Sequence, residues 1–493
     1  MSRLSIEKED GMQDAPRALY YGGQWYTAHG DQVDRITSPS TSQELALVSR
    51  ADAEDVDRAV RAAAAAFPAW RDMPAANRAN LVRQAATRVR AHADELAMLD
   101  AQDSGNPVSA MLRDVGAGAD YMDYFAGLIT EMKGDTIPLD AETINITLRE
   151  PLGVVARIMA FNHPLFYMTA KTASALVSGN TVVFKPSELT PLSALRIAEL
   201  WDGLLPPGVF NLVTGDRETA TALAGHPNVA KVGLIGSIGA GKAIMKIASG
   251  GLKRLTLELG GKNAFVACSD VDVKQVAAAV VLGMNFMSVA GQSCGSTSRV
   301  YLHETVHDAI VEEVVTIVSK IGVGLPTAPA TEMGCLSSAH QYEKVLGYIQ
   351  IARQEGATIA CGGGRPKGPE FADGYFIEPT VLTDVTDNMR VAREEIFGPV
   401  VSILKWQDEG TLLSAVNALD VGLTAAVWSR GLDEALRLAT RIQAGFVWIN
   451  DSATHRVGIP FGGFRQSGFG REESIEEMIE CTQAKTIQMK FKN

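Results

Sequence analysis

The sequence predicts an α/β fold with doubly wound parallel sheets, and three observations predict it. Short apolar runs rich in β-branched residues recur along the chain, and helix-like segments separate them. The runs are also apolar throughout rather than alternating, as strands buried on both faces must be.

Taken in order, residues 51–67 place Val56, Val60, Ala63 and Phe67 on one helical face, with Asp52 as a cap and acidic residues in the first turn. A second helical run is expected over 75–103. Strands are then expected in GVVARIMA (153–160), NTVVFK (180–185), GVFNLV (208–213), KVGLI (231–235) and RLTLE (254–258). A second set, SRVYL (298–302), VVSILKW (400–406), AAVWS (425–429) and FVWIN (446–450), comes with helices near 276–286 and 306–320 and implies a second α/β unit. Residues 136–150 and 483–491 alternate like strands outside both units and are candidates to pair as a small extra sheet.

Composition narrows the function. With 46% hydrophobic and 21% charged residues the chain is an ordinary globular protein of two or three domains. Its formal charge of −12 works against nucleic acid or an anionic membrane as partner, since phosphate binding needs clustered Lys and Arg. No segment has the roughly 18 uninterrupted apolar residues of a membrane span, and residues 1–17 lack the apolar stretch of a secretory signal. A cytoplasmic enzyme acting on a small molecule is expected. The cysteines Cys268, Cys294, Cys335, Cys361 and Cys481 are irregularly spaced with no C-x-x-C pair, so reduced thiols and no cysteine-based zinc site are expected.

Two motifs are decoys. Residues 232–243 (VGLIGSIGAGKA) nearly satisfy the phosphate-loop pattern, but Ala243 has no hydroxyl for Mg²⁺; what survives is a strand ending in small residues and opening a helix whose N–H groups suit a pyrophosphate. His303-Glu304-Thr305-Val306-His307 formally matches a zinc-peptidase motif, yet a strand runs into His303 and Thr305 reads as the cap of the next helix, so no metal site is expected.

Other segments carry chemistry without deciding it alone. Cys294 lies in a run of small and polar residues, Gly291-Gln292-Ser293-Cys294-Gly295-Ser296-Thr297, where a reactive thiol and an inert loop cysteine are both open. Glu258 ends a strand, where it is either a general base or a solvated strand end. Asn162 closes another strand beside a proline turn.

Together the blocks FNHP (161–164), KPSE (185–188), Gly236-Ser237, LELGGK (257–262), GQSC (291–294), EEIFGPV (394–400) and PFGGFRQSGFGRE (460–472) have the order and spacing of one family. Over nearly its whole length the chain resembles the NAD(P)-dependent aldehyde dehydrogenase superfamily. That resemblance implies a Rossmann-type cofactor domain (1–130 and 150–259), an α/β catalytic domain (260–458) and a small β arm for oligomerisation (131–149 and 472–493). A homodimer or homotetramer is expected.

By the same resemblance Cys294 is the nucleophile and forms a thiohemiacetal, then a thioester. Asn162 and the Cys294 backbone N–H hold the oxyanion, and Glu258 activates the hydrolytic water. Lys171 and Glu472 take positions tied to proton relay and loop order. The cofactor positions are Ile158, Ala160, Phe161, Lys185, Ser187, Glu188, Gly215, Gly236, Ser237, Leu259, Gly260, Gln341, Lys344, Glu395 and Phe397. Of these, the resemblance gives Lys185 and Glu188 to the adenosine ribose, Ser237 to the pyrophosphate, and Glu395 with Phe397 to the nicotinamide ribose. Glu188 can accept from both ribose hydroxyls but repels a 2′-phosphate, so NAD is expected over NADP.

Substrate choice is expected from His163, Tyr167, Ser293, His455, Arg456 and Phe461. Basic, hydrogen-bonding groups among them favour an aromatic or carboxylate-bearing aldehyde. The alternatives are a CoA-acylating semialdehyde dehydrogenase, against which Glu258 argues, and a betaine-type enzyme, which needs an aromatic cage that these positions supply only at Tyr167.

Overall fold

A computed structural model describes residues 16–491, so most of the amino-terminal segment weighed above, and the last residues of the arm, lie outside the described residues. The strands Phe210–Leu212, Thr181–Lys185, Val154–Ile158, Val229–Ile235 and Arg254–Glu258 lie side by side and parallel at the centre of an eight-stranded sheet. Every residue of Val154–Ile158 and of Thr181–Lys185 is buried, which is why they read as continuous apolar runs. The chain order reverses between Val154–Ile158 and Val229–Ile235. The crevice beyond the carboxyl ends of those two strands is therefore the place where a doubly wound sheet admits a ligand.

The second sheet has seven strands; Thr380–Thr383, Val400–Trp406, Arg299–His303, Ala264–Ala267, Thr424–Trp428 and Phe446–Ile449 run parallel, and Thr358–Cys361 closes one edge antiparallel. After it the chain returns to the first sheet, where Gly468–Phe469 pairs with Arg254–Glu258 and sets Gly468 opposite Glu258. That return carries residues 471–477 beneath the region where the two sheets meet. A separate three-stranded antiparallel sheet joins Thr136–Asp140, Thr143–Pro151 and Thr482–Lys490, the last two in register from Thr143↔Lys490 to Pro151↔Thr482. Ile137, Leu139, Leu148 and Phe491 are exposed on it.

The first helix, Ala53–Asp72, is capped by Asp52 in a reciprocal capping box with Asp55. The run expected over 75–103 is two helices, Ala75–Ala91 and Ala93–Ser104. His92 between them leaves the helical region (φ −116°, ψ 25°) and its Nδ1 meets the Arg88 carbonyl oxygen at 2.9 Å. The helix expected near 276–286 is Val273–Gly283, because Asn285 takes the left-handed conformation (φ 57°) that asparagine tolerates. The cap expected at Thr305 is instead His303, whose Nδ1 accepts the Thr305 backbone N–H at 3.3 Å. His303 thus ends a strand while His307 sits inside the helix beside Asp308, and the motif does not converge on one point. Among the described residues no group of three metal-ligating side chains comes together.

Candidate active site

Cys294 sits on a loop that the second sheet holds by its polar edges. Asn263 donates from Nδ2 to the carbonyl oxygens of Cys294 (2.6 Å) and Ser296 (3.0 Å), and the Thr424 hydroxyl donates to that of Gly295 (3.0 Å). The loop begins at Gly291, in the left-handed region (φ 71°), where a Cβ would fall 2.3 Å from the Gly398 carbonyl oxygen; only glycine fits. The thiol opens on a cavity of about 400 Å³. Burial, reinforced by the Glu258, Glu395 and Glu473 carboxylates, pushes it above the ordinary thiol range.

Asn162 follows the strand Val154–Ile158 and precedes the helix Pro164–Val177. The Asp100 carboxylate accepts the Leu165 N–H of that helix (3.0 Å), and Asn106 donates to the Asn162 carbonyl oxygen (2.9 Å). The Tyr167 hydroxyl donates to Asn162 Oδ1 (3.2 Å), which fixes the amide so that Nδ2 is the group left to donate.

Further along the same helix is Lys171, buried and 2.9 Å from Glu472. Burial opposes its charge, but Glu472, with Glu477 and Glu473, outweighs it and pushes the lysine up. Arg157, fully buried, braces the carboxylates from below at 2.9 Å from Glu477 and 3.5 Å from Glu472. Glu258 lines the cavity opposite them, and neither of its carboxylate oxygens has a hydrogen-bond partner among the described residues. Burial, and then the charge of Glu472, pushes Glu258 well above the carboxylate range. A carboxyl of this kind holds or accepts a proton near neutral pH.

A second cavity, about 790 Å³, opens at the crevice of the first sheet. Ile158, Ala160 and Phe161 line one side, Lys185, Ser187 and Glu188 a second, and Gly236 and Ser237 a third. Ile235 lines both cavities, so the two meet there. Ser237 caps the 11-residue helix Ile238–Ala248, accepting the Ala240 N–H at 3.1 Å. The helix end that faces this space carries free N–H groups and positive dipole charge. Lys185 is buried and bonded to the Pro186 carbonyl oxygen (2.9 Å), whereas the Glu188 side chain is 51% exposed. The space and its polar groups fit a dinucleotide.

The remaining positions surround this cavity without lining it. Leu259 is buried after Glu258. Glu395 accepts the Gly261 N–H (2.9 Å) and occupies the room where a Cβ on Gly260 would stand, 2.1 Å from its Oε2. Phe397 is left-handed (φ 58°) and sets its ring edge-on to Phe161 at 5.8 Å. Gln341 donates to the Ile396 carbonyl oxygen (3.0 Å) and to that of Phe397, so its amide supports that loop. Lys344 is half-buried near Glu395, and Gly215 turns the chain against Thr219.

Of the substrate positions, His163, Tyr167, Ser293, His455 and Phe461 line the 400 Å³ cavity. Arg456 is exposed and does not. Sequence reasoning missed the helix Val108–Gly127, which contributes Asp114, Asp120 and Tyr121, and also Phe166 and Glu473. Asp114 and Tyr121 are seven apart, so one helical face carries both; nothing in the pattern says which face meets the cavity. Both histidines are committed to carboxylates, His163 to Asp114 (2.7 Å) and His455 to Glu473 (3.2 Å), and the Tyr121 hydroxyl also donates to Glu473 (2.9 Å).

The aldehyde dehydrogenase family model matches residues 25–487. The chain is 44% identical over 476 residues to the aldehyde dehydrogenase tropH of Talaromyces stipitatus, covering 95% of this chain and 92% of that one. Among solved structures, the NAD⁺ complex of an aldehyde dehydrogenase from Bacillus cereus is 37% identical with a TM-score of 0.94, over 97% of this chain and 98% of that one. A betaine aldehyde dehydrogenase from Staphylococcus aureus, also solved with NAD⁺, is 34% identical with a TM-score of 0.93, over 96% and 94%.

Proposed function

This chain belongs to the aldehyde dehydrogenase family, and from that premise we propose that it oxidises an aromatic aldehyde to the carboxylic acid with NAD, through a thioester on Cys294 that water hydrolyses. The observation that carries the reading is the meeting of Cys294 and Glu258 on one cavity with Tyr167, which holds Asn162 behind it, and the contact of that cavity, at Ile235, with a second one fit for a dinucleotide.

Cys294 Sγ attacks the carbonyl carbon as its proton leaves to water. The oxyanion that develops is held by Asn162 Nδ2, the amide end left free to donate, and by the Cys294 N–H. A nicotinamide held in the adjoining cleft would supply the hydride acceptor for oxidation of the Cys294 thiohemiacetal to the thioester. Glu258 then takes a proton from water, the hydroxide adds to the acyl carbon, and Cys294 departs as the acid forms. Lys171 and Glu472 are the proposed exit for that proton. Ser237 and its helix hold the pyrophosphate, Lys185 and Glu188 the adenosine ribose, and Glu395 with Phe397 the nicotinamide ribose. Family membership supports NAD(P) dependence, and the exposed Glu188 carboxylate supports NAD.

The aromatic substrate is argued from Tyr121, Phe166, Tyr167 and Phe461 on the cavity wall. A carboxylate-bearing aldehyde loses support, because each imidazole already faces a carboxylate and Asp114, Asp120 and Glu473 share the same wall. Those carboxylates and rings favour a second reading, a cationic aldehyde of betaine type. The exposed apolar residues of the three-stranded sheet support its role as an oligomerisation arm.

The test is NADH formation with benzaldehyde, 4-hydroxybenzaldehyde, 4-formylbenzoate and betaine aldehyde, each with and without CoA. NADH should form without CoA, fastest with an uncharged aromatic aldehyde, and Cys294→Ser should abolish it. Strict dependence on CoA rejects the hydrolytic scheme, and preference for betaine aldehyde installs the second reading.

A further inference from the structure

We propose that His163, anchored by Asp114, is a specificity-determining residue that turns its second ring nitrogen to the far end of the aldehyde and selects substrates carrying a hydroxyl there. The inference rests on the aldehyde oxidation proposed above.

Its basis is the way the imidazole is held. Nδ1 lies 2.7 Å from Asp114 Oδ2, so it carries a hydrogen and donates to the carboxylate. No group among the described residues meets Nε2 within hydrogen-bond distance, while the side chain is 24% exposed and borders the substrate cavity. The ring cannot swing away, since Tyr167 and Phe166 stand edge-on to it at 5.9 and 6.5 Å. The wall also carries Asp114 and Glu473, but these are already bonded to His163, His455 and Tyr121, so an oriented, unpartnered ring nitrogen set among Phe166, Tyr167 and Phe461 is a polar contact by which the pocket can read one substituent.

The charges that face His163 come from several elements. Asp114 lies on the helix Val108–Gly127, Asp100 on the helix Ala93–Ser104, and Glu473 on the carboxy-terminal return. Burial works against an imidazolium, but these carboxylates, Asp114 first, outweigh it and raise His163 above the ordinary imidazole range. With Nδ1 committed to Asp114, Nε2 is the ring atom left for substrate, and a hydroxyl, which both donates and accepts, meets it with or without a hydrogen. A carboxylate can only accept and a quaternary ammonium group does neither, so both match it less well. A hydroxylated benzaldehyde satisfies these requirements together with the aromatic walls.

The test compares kcat/KM for benzaldehyde, 3-hydroxybenzaldehyde and 4-hydroxybenzaldehyde in the native enzyme, His163→Phe, His163→Gln and Asp114→Asn. One hydroxybenzaldehyde should exceed benzaldehyde by about tenfold in the native enzyme, the scale of one well-placed hydrogen bond. His163→Phe should bring that ratio near one, His163→Gln should restore part of it through its amide N–H, and Asp114→Asn should lower it. Calorimetric binding of benzyl alcohol and the matching hydroxybenzyl alcohol, which need no turnover, runs beside it. Should no aldehyde be oxidised while the alcohols are still discriminated through His163, the reaction is wrong and the site stands. Equal ratios in the native enzyme and His163→Phe, or a native preference for betaine aldehyde, overturn the inference.

Discussion

The Tyr167 hydroxyl donates to Asn162 Oδ1 at 3.2 Å, and this contact decides which end of a buried amide is left free to donate. Without it, the amide is free to present oxygen rather than nitrogen to a developing oxyanion. Tyr167→Phe should therefore lower kcat/KM about three- to tenfold, while Asn162→Ala, which removes the donor itself, should cost on the order of 100- to 1,000-fold. Steady-state NADH formation checks both. Equal losses in the two variants would remove the orienting role.

Glu258 has two unpartnered carboxylate oxygens on the cavity, and burial with the nearby Glu472 raises it well above the carboxylate range. In the proposed reaction Glu258 takes a proton from water, after the thioester has formed rather than before. Glu258→Gln should give a rapid burst of NADH close to one per active site, then turnover slowed by about 100-fold or more. Intact-protein mass should show an acyl group on Cys294. A variant slowed equally in the burst and the steady state would assign Glu258 to the first half of the reaction.

Glu188 stands exposed at the edge of the dinucleotide cavity, 3.8 Å from the buried Lys185 amine. Removing its charge leaves that amine unopposed near the ribose. Glu188→Gln should raise kcat/KM for NADP relative to NAD by about tenfold, mostly by weakening repulsion of the 2′-phosphate. An unchanged ratio places the discrimination elsewhere.

What could be read in advance follows a physical line. The parallel strands of the first sheet and most of the long strands of the second were legible because burial on two faces demands uninterrupted apolar residues, as Val154–Ile158 and Thr181–Lys185 have. Ala264–Ala267 was not among the expected strands, since a four-residue run offers too little pattern, although it lies inside the second sheet. The motifs that carry Cys294, Glu258 and Asn162 were legible because backbone geometry ties them to short local blocks. The charged contacts were not. His163 and Asp114 are 49 positions apart, His455 and Glu473 are 18 apart, and only tertiary packing brings them together. Arg456 misled because a basic loop residue looks like a ligand until its exposure is known.

Glu473 is the last residue that sequence alone left unnoticed, and it ties three parts of the cavity wall together. It holds a left-handed backbone (φ 67°), and its carboxylate meets the Tyr121 hydroxyl, His455 Nδ1 and, at 3.7 Å, the Lys171 amine. Burial by itself would raise it, but His455, Lys171 and the bonds from His455 and Tyr121 hold it down at about 2, against an ordinary 4.5. A folded value below the unfolded one contributes stability that is complete above about 4.5 and is lost as pH falls towards 2; the depression corresponds to on the order of 3 kcal/mol. Glu473→Gln should therefore unfold at lower urea than the native protein at pH 7 and at pH 6. The gap between the two midpoints should shrink as pH falls below about 4.5, because the carboxylate of the unfolded chain then takes up a proton that the folded protein, held at about 2, does not. A gap of constant size from pH 7 to pH 3.5 would mean that the side chain acts through its shape and neutral hydrogen bonds rather than through its charge.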